Sequence, residues 1–170
     1  MNLLYNAGIV LYVALIRIGA LFSPKARLWL EGRAQWRTRY AEKLGEKKKS
    51  RIWVHAASLG EFEQGRPLIE VFRQKHPDWE MVLTFFSPSG YEIRKNYPLA
   101  DHVFYLPADT PANAHAFVNL VQPDVAVFVK YEFWANTLLE LHKRNVPTLL
   151  ISALFRPAQP FFKSWGGFWR

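Results

Sequence analysis

The chain has no cysteine in 170 residues, which excludes disulfides and thiolate metal sites and fits a reducing compartment. Its five histidines are scattered, with no His-x-x-x-His or similar pairing, so no catalytic metal and no cofactor is expected. The dinucleotide signature G-x-G-x-x-G and the phosphate loop G-x-x-x-x-G-K-[ST] are both absent. There is no internal repeat and no low-complexity tract beyond Lys47-Lys48-Lys49. No Lys or Arg precedes the apolar run Leu3 to Phe22, and no clear A-x-A site comes after it, which disfavours a cleaved signal peptide.

Half of the residues are hydrophobic and 16% are aromatic, a composition that folds rather than staying disordered. The length suits one domain with a real core. The net charge of +8 is unevenly placed. Lys25 to Arg51 carries ten basic residues against three acids, whereas Ile52 to Arg170 has eleven of each sign.

The basic stretch comes directly after "LLYNAGIVLYVALIRIGALF". About 20 residues of helix match the roughly 30 Å of bilayer hydrocarbon. Residues 1–23 are therefore expected to form a membrane-anchor helix, with the basic flank holding the rest of the chain on the cytoplasmic face. Asn6 and Arg17 interrupt the run, so a helix lying in the interface and an ordinary core helix stay open beside a span. Residues 24–50 read as a basic juxtamembrane collar in which Trp29, Trp36 and Tyr40 interleave the charges. Nucleic acid or a solvated helix would also suit such a stretch. Beside an anchor, adsorption to anionic inner-membrane lipid is favoured, at roughly 1 kcal/mol per basic residue, and nucleic-acid binding is not expected.

Residues 51–170 alternate strand-like and helical runs. The strands expected are Ile52 to His55, Met81 to Phe86, His102 to Leu106, Val125 to Val129 and Thr148 to Ile151. The helices expected are Glu61 to Lys75, Gly90 to Tyr97, Pro111 to Val121 and Phe133 to Arg144. This is the pattern of an α/β fold, a Rossmann-like parallel sheet with helices on both faces. In such a sheet, function gathers at the carboxyl ends of the strands.

Three loops are expected at that edge. "AASLGE" brings Ser58, Gly60 and Glu61 to the start of a helix. "FFSPSGYE" brings Ser87, Ser89 and Gly90, small residues whose backbone N–H groups could face an anion. "VFVKYEFW" brings Lys130 and Glu132. Each also has a plain structural explanation: a capping glutamate, ordinary turn chemistry, and a surface ion pair. Their convergence on one edge favours function.

"HAASLGE", "SPSGYE", "YLPAD", "PDVAVFVKYEFW" and "KRNVPTLLISA" occur here in the order and spacing of the 3-deoxy-D-manno-octulosonic acid (Kdo) transferases of Gram-negative bacteria. The resemblance runs to about Arg156. It implies the N-terminal, acceptor-binding half of a GT-B glycosyltransferase, whose two Rossmann-like halves face each other across a cleft. Nothing in the chain resembles the half that binds the donor, CMP-Kdo, so an incomplete enzyme is expected.

The implied acceptor is the lipid A precursor (lipid IVA), an acylated and phosphorylated diglucosamine, and the implied reaction inverts the anomeric configuration. Glu61 would be the proton acceptor, kept ionised at its helix start. Lys130 and Glu132 would stabilise the transition state or the acceptor, and Ser58, Gly60, Ser87, Ser89 and Gly90 would line the acceptor site. The chain departs from the family at Lys130, where many members carry an acid. It departs again at Ala153-Leu154, where an Ala-Arg pair is common and Arg156 is the candidate stand-in. The alternatives are another GT-B transferase acting on a lipid-linked acceptor, and a lipid-binding or partner-binding module without catalysis.

Overall fold

Along one short strand, Ile52, Val54 and Ala56 pack into one layer of the core while Trp53 packs into the other. That period-two alternation builds the domain. The computed structural model describes residues 2–155. Its five strands are β1 (Arg51–Ala56), β2 (Glu80–Phe85), β3 (His102–Tyr105), β4 (Val125–Val129) and β5 (Thr148–Ile151). They form one parallel sheet in the order β3-β2-β1-β4-β5, as the alternating pattern predicts.

Seven helices are described: α1 (Asn2–Gly19), α2 (Pro24–Glu31), α3 (Trp36–Leu44), α4 (Leu59–Lys75), α5 (Pro88–Arg94), α6 (Pro111–Val121) and α7 (Ala135–Lys143). One core layer joins Trp53, Val82, Phe104 and Phe128 to Phe117 of α6 and Leu141 of α7. The other joins Val54, Leu83 and Val127 to Phe62 and Ile69 of α4. Gly65 lets α4 approach β4, because a Cβ there would stand 2.8 Å from a Val129 methyl.

The basic stretch behaves differently from the expectation. It folds into α2 and α3, and Trp29, Trp36 and Tyr40 are buried. Trp36 and Tyr40 pack into the same layer as Trp53, and the Tyr40 hydroxyl donates to the Tyr105 carbonyl at 2.7 Å. These rings stabilise the protein core instead of facing a membrane. Arg37 and Arg39 stay outside because the stretch is amphipathic, while Arg33 is buried and donates to the carbonyls of Trp29, Phe86 and Leu106.

None of the described helices is long and apolar enough to cross a membrane. The spanning anchor expected over residues 1–23 is thus unsupported. At 18 residues, α1 is about 27 Å long, and it presents different chemistry on its two sides. Tyr5 and Asn6 bond to the α/β unit, whereas Leu4, Leu11, Leu15 and Ile18 stand at least half exposed. Their spacing of seven, four and three residues makes them one helical stripe.

Candidate active site

The end of β1 sets the site. His55 ends the run of larger side chains, Ala56 and Ala57 allow a tight turn, and α4 starts after Ser58. Glu61, in the first turn of α4, reaches back so that its Oε2 accepts the Ala57 N–H at 2.6 Å. The Ala57 carbonyl accepts the Ser87 N–H at 2.7 Å. Ala57 therefore ties the first loop to the second.

Burial pushes the Glu61 carboxyl above its ordinary value, and the negative charge of Glu132 pushes it further. The Ala57 hydrogen bond, His55 and Lys130 oppose that rise. The residues predicted from the first and third loops thus act on one another at one edge. Lys130 stands at the end of β4 with a left-handed backbone, φ 64°, a conformation uncommon for a residue with a side chain and frequent at functional sites.

Behind these groups lies a buried polar chain that sequence reasoning missed. Trp53 Nε1 donates to Thr84 Oγ1 at 2.8 Å, and Thr84 Oγ1 is 2.8 Å from His55 Nδ1. His55 Nε2 lies 3.5 Å from Glu132 Oε2. The Trp134 indole nitrogen is 2.9 Å from that carboxylate oxygen and 3.1 Å from His55 Nε2. An indole can only donate, so Thr84 Oγ1 accepts the Trp53 proton, and the Trp134 proton lies between Glu132 Oε2 and His55 Nε2. Trp134 thereby holds the Glu132 carboxylate beside the buried imidazole. The signal in the sequence was one histidine inside an otherwise apolar strand, which calls for a buried partner.

Asp109 is a second missed residue. It is buried, and its carboxylate accepts the Asn136 and Thr137 N–H groups, both at 2.9 Å, and the Thr137 hydroxyl at 2.6 Å. It thereby caps α7 and fixes where the Lys130–Trp134 segment ends. It also accepts the Tyr5 hydroxyl at 2.7 Å, docking α1 beside the site.

The remaining predicted residues fall unequally. Ser58 occupies the cap of α4 without a side-chain capping bond. Gly60 is exposed, and a Cβ there would meet only open space. Ser87 caps α5 through the Ser89 N–H at 3.3 Å, and the two serine hydroxyls lie 2.9 Å apart. Gly90 is buried, and a Cβ there would come within 2.3 Å of the Phe85 ring. Its local role is close packing. Arg156 lies outside the described residues. Among the described residues no cluster of three or more metal-ligating side chains forms.

Residues 34–169 match the family described as 3-deoxy-D-manno-octulosonic-acid transferase (kdotransferase). The chain belongs to this family. The 3-deoxy-D-manno-octulosonic acid transferase of Haemophilus influenzae is 38% identical over 104 residues, 60% of this chain and 24% of the relative. That of Aquifex aeolicus is 31% identical over 106 residues, covering 62% and 28%. A probable mitochondrial 3-deoxy-D-manno-octulosonic acid transferase of Arabidopsis thaliana is 28% identical over 134 residues, covering 75% and 30%. The chain spans about a quarter of the length of the curated Kdo transferases it matches. Residues 34–169 of this chain contain the sheet, all three site loops and the His55–Glu132 chain.

Proposed function

We propose that this chain is the acceptor-binding half of an inverting Kdo transferase, with Glu61 as its general base. The observation that carries the reading is the Glu61 carboxylate at the carboxyl edge of a parallel sheet, with its pKa raised by burial and by Glu132. A raised pKa makes a carboxylate a better proton acceptor near neutral pH. The Ala57 N–H aims it.

A hydroxyl of the lipid A precursor attacks the anomeric carbon of CMP-Kdo. The new C–O bond forms as the bond to CMP breaks, the electron pair leaves with CMP, and the hydroxyl proton passes to Glu61. Glu132, held by Trp134, keeps Glu61 basic. Lys130 balances the negative charge gathered there or meets an acceptor phosphate. Ser58, Gly60, Ser87 and Ser89 border the space for the acceptor, and Arg156 is carried as a further contact. A second Rossmann-like half of the GT-B enzyme holds the donor. The reading assigns no step to a metal or other cofactor.

The apolar stripe of α1, together with Arg17, Lys25 and Arg27, supports adsorption of this helix to the cytoplasmic face of the bacterial inner membrane. An acylated acceptor is presented there during lipopolysaccharide synthesis. Nucleic acid has no part in the reading.

The test is transfer by the intact natural enzyme, with CMP-Kdo and the tetra-acylated diglucosamine bisphosphate as substrates. The expected product carries added Kdo with its anomeric configuration inverted relative to the donor. A product formed only from another sugar nucleotide, or one with retained configuration, would overturn the assignment.

A further inference from the structure

A groove of about 280 Å³ opens between α1, α2 and the start of α5. It lies outside the Glu61–Glu132 cluster. Its walls are largely apolar, with Tyr12 and Ile16 on α1 facing Trp29 of α2 and Phe86 just past the end of β2. Those rings form a continuous set. Tyr12 stacks on Phe86 with centroids 6.1 Å apart, and Trp29 meets Phe86 edge-on at 5.7 Å. Apolar cavities of this size take small apolar ligands, and a few polar groups fix the orientation.

Three donors border the groove. Lys25 and Ser87 line it. The third is the indole N–H of Trp29, buried and without a hydrogen-bond partner among the described residues. A buried donor left unmet costs free energy, and such a group calls for an explanation. Arg33 lies 3.8 Å from the Trp29 ring centroid and is buried without an acidic partner among the described residues, donating to the carbonyls of Trp29, Phe86 and Leu106. The local charge is positive, and the Trp29 N–H is left to pair with an acceptor oxygen.

The groove also joins two features already described. Phe86 stacks against Trp134 with centroids 4.4 Å apart, and Trp134 donates to Glu132. At its other side, Tyr12 and Ile16 adjoin the exposed stripe of Leu11, Leu15 and Ile18.

We infer that this groove holds one acyl chain of the phosphorylated lipid acceptor, with an oxygen of the lipid accepting from Trp29 Nε1 and the anionic head paired with Lys25. This deepens the acceptor reading and rests on it for the lipid's identity. The groove's own chemistry requires only a single apolar chain with an anionic head. Charge complementarity and continuity with the α1 stripe favour that occupant.

The test is binding without any donor sugar, so it stands apart from transfer activity. The isotope-labelled chain is titrated with dodecyl phosphate below its micelle concentration, and its seven indole N–H resonances are monitored. The Trp29 resonance, identified by its loss in Trp29→Phe, is expected to move downfield while most others hold still. Lys25→Ala, an exposed site with little folding risk, should weaken dodecyl phosphate at least fivefold. Ala26→Phe, which fills the groove, should abolish the shift with the other indole resonances retained. Shifts confined to the α1 stripe, with Trp29 unmoved, would mean surface adsorption alone and overturn the proposal. Equal affinity for uncharged dodecyl maltoside in the parent and for dodecyl phosphate in parent and Lys25→Ala alike would overturn the role of Lys25.

Discussion

Glu61 turns back four residues to take the Ala57 N–H at 2.6 Å, and in doing so it sits where Glu132 repels it. Position and stability conflict at this residue. A carboxyl whose folded pKa is raised adds stability that is present below its unfolded pKa, near 4.5, and lost as pH rises through the folded value. Glu61→Gln keeps an acceptor for Ala57 and removes the charge. The variant should therefore melt at a higher temperature than the parent at pH 7, with the gap closing below pH 4.5. Calorimetry at the two pH values checks this, and a lower melting temperature at pH 7 would contradict it.

Asp109 holds α7 and α1 to the site through one buried carboxylate. Asp109→Ala leaves two helix N–H groups and two hydroxyls without their acceptor. It should cost about 2–4 kcal/mol in denaturant unfolding. A loss below about 1 kcal/mol would show that water replaces the carboxylate.

Two glycines at the same edge should respond in opposite directions. Gly60→Ala meets open space in a helical first turn and should be neutral or stabilising by up to about 1 kcal/mol. Gly90→Ala drives a methyl into the buried Phe85 ring and should cost about 1–3 kcal/mol. Paired unfolding curves decide it, and equal effects would contradict the packing described.

All five strands fall within a residue or two of the runs legible in the sequence, because buried parallel strands are short, apolar and bounded by turn residues. The meeting of the Glu61 and Lys130–Glu132 loops was legible for the same reason, since parallel topology sends the strands' carboxyl ends to one edge. Residues 24–50 were harder. Aromatics interleaved with lysine and arginine look alike whether the rings face lipid or a protein core, and only the fold shows Trp36 and Tyr40 against Phe104 and Phe117. Gly90 was ambiguous too, because a glycine needed for packing and one needed for a ligand are the same letter. Asp109 stands two residues before Pro111, the start of α6, while its carboxylate serves α7, some 27 residues on. Long-range polar pairing of that kind leaves no periodicity to read.

Glu61 taking the acceptor proton is the central claim. The most direct measurement is turnover of the intact natural enzyme carrying Glu61→Gln, alongside the parent, at saturating CMP-Kdo and lipid acceptor. The predicted result is a fall in kcat of at least about 100-fold, in the range typical of a lost general base, with lipid binding and the folded state retained. Turnover within a few-fold of the parent would contradict it.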